Sequence, residues 1–279
     1  MTPTTAGNDT RRGGIAVEDR RDGRVTGMDS AAASRAVLRA SGNALLAMMT
    51  RAERVMVLRA AEPVSYPAGH VLAVPGEPIR HVYLPDAGLV SLLADLPEEG
   101  MLEVGLIGRE GLVGLPALLG DPVASLRAMV QIASHGRRIE AATLQMLADG
   151  SRNLRSLLRQ FSMLMLAQAA HGAACNAAHP LEQRIARWLL SVADRVGPNL
   201  PLTQDHLAAM LGARRPTVNL MLQQMRRAGL VRHARAQLAI ADRAALEATA
   251  CPCYHRLRAV QERLFPGRLG EVPGQMSGG

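Results

Sequence analysis

Near Gly150 the apolar residues change their spacing, and that change constrains the fold more than any other feature of the chain. Between Pro63 and about Arg138, turn signals recur: Pro67-Ala-Gly69, Pro75-Gly76, Pro85-Asp-Ala-Gly88, Pro97-Glu-Glu-Gly100 and Gly108. The apolar runs between them (HVLAV, HVYLP, LVSLLADL, MLEVGLI and, later, RAMVQIA) have the length of strands rather than helices. Such a series suits a small sandwich, or a roll closed on itself, which hides its strand edges. EGLVGLPALL, residues 110–119, interrupts it with glycines and a short predicted helix.

After Gly150 the period turns helical. Leu154, Leu157, Leu158, Phe161, Leu164 and Met165 make one apolar stripe, continued by Gln168, His171, Gly172 and Cys175. A lone helix gains little by standing in solvent, so the stripe needs a partner. An equivalent helix of a second copy is the economical choice and predicts a two-fold dimer; packing on the chain's own β domain is the alternative. Pro180 marks the next boundary, and LEQRIARWLLSVADRV, ended by Gly197-Pro198, predicts a further helix.

Composition adds limits. Hydrophobic residues make up 48% of the 279 positions but aromatic ones 2%, with Trp188 the single tryptophan, so the cores must be aliphatic. The net charge of +8 comes from arginine, since the chain has no lysine. Arginine forks suit phosphates and guanine edges. A GC-rich codon preference yields the same total, so the placement of charge decides its meaning. Three cysteines (Cys175, Cys251, Cys253) are too few for an extracellular disulfide framework. No apolar run approaches the roughly 18 residues of a membrane span, and no apolar export segment follows the Arg11-Arg12 pair. The chain is expected to be cytoplasmic.

The densest information lies in LTQDHLAAMLGARRPTVNLMLQQM, residues 202–225. With Gly212 as the turn glycine of a helix-turn-helix, Leu207, Leu211, Val218, Met221 and Leu222 fall on packing positions and Ala208 is small where two helices touch. Thr203 stands at a cap and Pro216 in a first turn, where its missing N–H is not needed. Packing leaves Arg214, Arg215, Thr217, Asn219, Gln223 and Arg226 unexplained, on the part of a second helix that enters a major groove. From Thr203 to Arg235 there are six arginines and one aspartate. Downstream, Gly229-Leu-Val231, RHARAQ and LAIAD predict a hairpin wing whose Arg232 and Arg235 meet phosphates.

These residues resemble the winged helix of the Crp/Fnr transcription regulators, and the order roll, long helix, winged helix resembles that family's layout from about Pro63 to Tyr254. The stretch GEPIRHVYLPDAGLVSLL followed by VGLIGREGLVG is similar to the family's effector domains. Residues 1–30, rich in Gly, Thr, Asp and Arg without an apolar period, are expected to be a disordered basic tail. The resemblance implies an α+β chain: a double-stranded β-helix or jelly-roll sensor domain of cyclic-nucleotide-binding type (31–149), a dimerisation helix (150–179) and a winged helix-turn-helix (180–256), which leaves a C-terminal tail (257–279). Helices over 31–61, broken around Ser41 and Gly42, precede the roll. It further implies a homodimer on double-stranded DNA carrying an inverted repeat, with RNA polymerase a possible partner. Thr203 and Gln204 would meet the phosphate backbone, and Arg214, Arg215, Thr217 and Asn219 the bases.

Three departures bear on chemistry. Pro216 replaces an acidic residue that follows the family arginine in many members, so base preference does not carry over there. Gly114 is followed by Leu115 rather than glutamate, and the later run reads VASLRAMVQ; Arg127 is left to face an anion, and cyclic AMP is not the expected ligand. With three cysteines, none near the amino end, no iron–sulfur cluster is expected. The effector stays unassigned. His171, Cys175 and His179 share a helical face, and Cys251-Pro-Cys253 lies near His255, but neither group alone completes four-fold coordination, so no metal is assigned. No phosphate loop, nucleophile elbow or catalytic carboxylate pair is found, so no enzyme is expected. The competing reading is a redox- or ligand-sensing module docking a protein partner. Its helix should expose apolar anchors, where this one carries Arg, Thr, Asn and Gln.

Overall fold

The computed structural model describes residues 42–96, 100–234 and 237–267; the tail expected over 1–30 lies outside them. Helix α1 (Ala44–Met48) is capped by Asn43, whose Oδ1 accepts from Leu46 N while its Nδ2 donates to Pro85 O and Gly111 O at 2.8 Å. Helix α2 (Arg51–Ala60) starts in a capping box: Thr50 Oγ1 accepts from Glu53 N, and Glu53 Oε2 from Thr50 N. A further break falls at Met49–Thr50, where these caps stop and start helices; α1 begins just after Gly42, and the helix expected before Ser41 lies outside the described residues.

The roll contains β1 (Glu62–Tyr66), β2 (Val71–Ala73), β3 (His81–Leu96), β4 (Gly100–Ile107) and β5 (Arg127–Glu140) in the order β1-β5-β3-β4, with β2 also on β5 and all pairs antiparallel. HVYLP and LVSLLADL form one strand. The Pro85–Gly88 signal produces register shifts instead of a turn. Gly88 has φ 85°, and a Cβ there would stand 2.4 Å from Ala133 O, so the bend needs a glycine against the neighbouring strand. Helix α3 (Leu115–Leu118) supplies the expected short helix, and α4 (Ala141–Asp149) leads into α5 (Arg152–Ala178).

Helix α5 corrects one expectation. Leu154, Leu157, Leu158, Phe161 and Leu164 are buried in the roll's own core, and Met165 is half-buried against it. Phe161 lies so close to Gly111 that a Cβ there would come within 2.2 Å of its ring. The stripe assigned to dimerisation thus satisfies its need for a partner inside one chain, because the roll offers it a matching apolar face.

Beyond Pro180 come α6 (Leu181–Val196), β6 (Asn199–Leu200), α7 (Gln204–Leu211), α8 (Arg215–Arg227), β7 (Val231–Ala234), β8 (Gln237–Ile240), α9 (Arg243–Thr249) and α10 (Cys253–Leu264), with sheet order β6-β8-β7. Their core of Trp188, Leu189, Val192, Leu207, Val218, Leu222 and Met225 runs on into Leu89, Leu93, Leu106 and Ile132 of the roll. Residues 257–267 are not a tail. Helix α10 packs on α5, with Leu257 buried and Phe265 fully enclosed in the roll's core, because Leu257, Val260, Leu264 and Phe265 recur at helical spacing. Among the described residues no helix is long and apolar enough to cross a membrane.

Candidate nucleic-acid interface

Helix α7 begins where Thr203, exposed, accepts from His206 N at 3.2 Å. It ends at Gly212, whose φ of 58° and ψ of 39° are the left-handed conformation that lets the chain reverse. Helix α8 follows with Pro216 in its first turn. Val218, Leu222 and Met225 are buried and bind α8 to its own domain.

Arg214, Arg215, Thr217, Gln223 and Arg226 are exposed, and Asn219 is half-buried with its Oδ1 unpartnered. Gln204 is half-buried in the first turn of α7, and Arg232 is exposed on β7. Arg235 lies outside the described residues. At about 100° per residue, the pole of α8 opposite its buried face carries Pro216, Leu220, Gln223 and Arg227, with Gln224 beside them. Leu220 (52% exposed), Gln224 and Arg227 were passed over by the sequence reading, which asked which polar residues packing left unexplained. A helical projection of the same residues would have found them. An exposed leucine there offers a contact for a thymine methyl, and the arginines and glutamines offer donors for base edges and phosphates.

Residues 183–249 match the family described as the Crp-like helix-turn-helix domain. These residues form a Crp-like helix-turn-helix domain. A transcriptional regulator of the CRP/FNR family from Thermus thermophilus is 28% identical, with a TM-score of 0.55 over 68% of this chain and 98% of its own. FixK2 from Bradyrhizobium japonicum shares the fold at 20% identity and a TM-score of 0.60, covering 68% of this chain and 98% of that one. CLP of Xanthomonas campestris, described as a c-di-GMP responsive global regulator, does so at 20% identity and 0.57, covering 69% and 100%. No curated protein matches the chain by sequence.

In this chain the helix-turn-helix unit is joined to the roll by two carboxylates. Glu110 of the roll is fully buried and takes Arg195 of α6, itself buried, through two nitrogens of one guanidinium, the Nη2 contact at 2.7 Å. Glu103 of β4 accepts from Trp188 Nε1 at 2.6 Å and from Ser91 Oγ at 2.7 Å. Desolvation pushes Glu103 up to about 7, outweighing those hydrogen bonds and the nearby Arg187 and Arg195 charges. A cavity of about 290 Å³ opens at this joint, with Glu103, Gln168, Arg187, Asp194 and Tyr254 in its wall. In the roll itself, Arg127 is paired with Asp95 at 2.8 Å.

The cysteines of the two sequence groups meet. Cys175 of α5 and Cys251 and Cys253, flanking the N-cap of α10, are all buried, with their three sulfurs within 4.8 Å of one another. Cys175 Sγ and Cys251 Sγ stand 3.4 Å apart. Burial and the Cys175 contact push the Cys251 thiol up to about 12. His171, His179 and His255 do not join the group.

Proposed function

We propose that this regulator acts as a homodimer that binds an inverted-repeat operator, laying α8 of each copy in successive major grooves about 34 Å apart. The observation that carries the reading is the outer face of α8, where Arg214, Arg215, Gln223, Arg226 and Arg227 are exposed beside a tightly packed inner face. Thr203, at the start of α7, and Arg232, on the wing, flank that face and suit phosphates on either side.

Dimerisation falls to the opposite side of α5 from the expected stripe. Met163, Leu166, Ala170, Ala173 and Ala177 are exposed and repeat at alternating spacings of four and three, the seam of a two-stranded coiled coil. Small residues along its second half let two helices approach closely. The effector is read as something other than cyclic AMP, since Leu115 stands where a ribose-binding carboxylate is needed and Arg127 already holds Asp95.

Selection from a random duplex pool at moderate salt, without added ligand, tests the reading. An enriched inverted repeat, lost together with affinity in Arg215→Ala, is the expected result. Binding that ignores sequence, or an Arg215→Ala protein with unchanged preference, overturns the assignment of α8.

A further inference from the structure

We propose that Cys175, Cys251 and Cys253 form a binding site for one copper(I) ion, held by three thiolates between α5 and the start of α10. The inference goes beyond the regulator reading and does not depend on it.

Three observations carry it. The sulfurs converge to within 4.8 Å of one another, and three thiolates around one ion at bonds of about 2.3 Å stand about 4 Å apart, so closing on a cation requires only small movements. All three side chains are buried, and they pack as a cluster of their own. A simple cross-link would use two cysteines and leave the third unexplained. The donor set is three sulfurs with no histidine or carboxylate, which suits a soft ion content with three thiolates better than zinc, whose structural sites take four ligands.

Charge points the same way. Binding copper(I) releases three protons to solvent and leaves a complex of net charge −2. Arg184 lies within electrostatic reach of both Cys175 and Cys251, and its buried Nε has no hydrogen-bond partner. Arg187 stands beside it. Cys175 belongs to the long helix, whereas Cys251 and Cys253 follow α9 of the DNA-binding unit, so a bound ion ties α5 to that unit.

The test uses the full-length, reduced protein without oxygen, titrated with copper(I) against a chromogenic copper(I) chelator. The expected result is one ion per chain, with affinity lowered more than about 100-fold in Cys253→Ser, beyond the 10- to 100-fold that outer-shell partners cost. Cys253→Ala serves if the serine fails to fold, as judged by circular dichroism. Arg184→Gln should weaken binding by about 10- to 100-fold. No uptake, uptake unchanged in both Cys253 variants, or zinc held in preference to copper(I) overturns the proposal. Chelator competition reads the ion alone, so its outcome is separate from whether the protein selects a DNA sequence.

Discussion

Helices α5 and α8 are both amphipathic on their inner sides and differ on their outer ones. The inner side of α5 buries Leu154, Leu157, Phe161 and Leu164, and that of α8 buries Val218, Leu222 and Met225. Outside, α5 shows Met163, Leu166 and a run of alanines, whereas α8 shows arginines, glutamines and one leucine. The inner faces tell how each helix is held. Only the outer faces bear on what each would meet under the proposed function: a like apolar helix in one case, a polyanion in the other.

The largest expected effect comes from placing charge on the outer face of α5. Leu166→Glu would put a carboxylate on each side of the proposed two-fold seam, and an unpaired buried charge costs about 3–5 kcal/mol. Sedimentation should show monomers, with the helical circular dichroism of the chain retained. A variant that stays dimeric moves the interface elsewhere. Next is Phe161→Ala on the inner face, expected to cost about 3–5 kcal/mol in urea unfolding. Its effect belongs to the single chain, so it should persist at dilutions where dimers separate; a loss below about 1 kcal/mol would mean that the roll does not hold the stripe.

A smaller effect belongs to α8. Arg227→Ala should weaken operator binding by about 1–3 kcal/mol if the guanidinium reads a base, with relaxed sequence preference at one position of each half-site. If it meets phosphate, all sequences weaken alike and the salt dependence falls by about 0.9 per copy. Equal affinity and equal salt dependence would take Arg227 out of the interface and leave the flank carrying Arg215 and Arg226 as the reading surface.

What the sequence makes legible is local. The cap at Thr203, the left-handed Gly212 and the inner residues of α8 are set by neighbours within one or two turns, and these lie where the spacing put them. Contacts between distant segments were not legible. Gly88 is needed because of Ala133 in another strand, Gly111 because of Phe161, and Cys175 meets Cys251 across 76 positions. The α5 stripe was visible, but spacing gives a face without its partner, so a second copy and the chain's own roll were equally consistent with it. The apolar period through Tyr254, Leu257 and Leu264 is ordinary helical spacing that a boundary drawn between residues 256 and 257 cut in two.

The least of the expected effects concerns the joint that holds these two helices in one body, and it appears as a slope rather than a loss. Glu103 bridges Ser91 and Trp188, and its folded-state value of about 7 lies above the ordinary 4.5. Between those values the folded chain keeps a proton that the unfolded chain has released, so the contribution is whole below 4.5 and fades as pH rises through about 7. Glu103→Gln keeps the shape and acceptor oxygen of the protonated acid but cannot ionise. Urea unfolding of the two proteins should give similar stability near pH 4.5, with the glutamine variant gaining steadily on the parent up to about pH 7 and keeping a constant lead above it. Parallel curves would mean that Glu103 is already charged across the range and that the Trp188 contact holds the roll to the DNA-binding unit independently of pH.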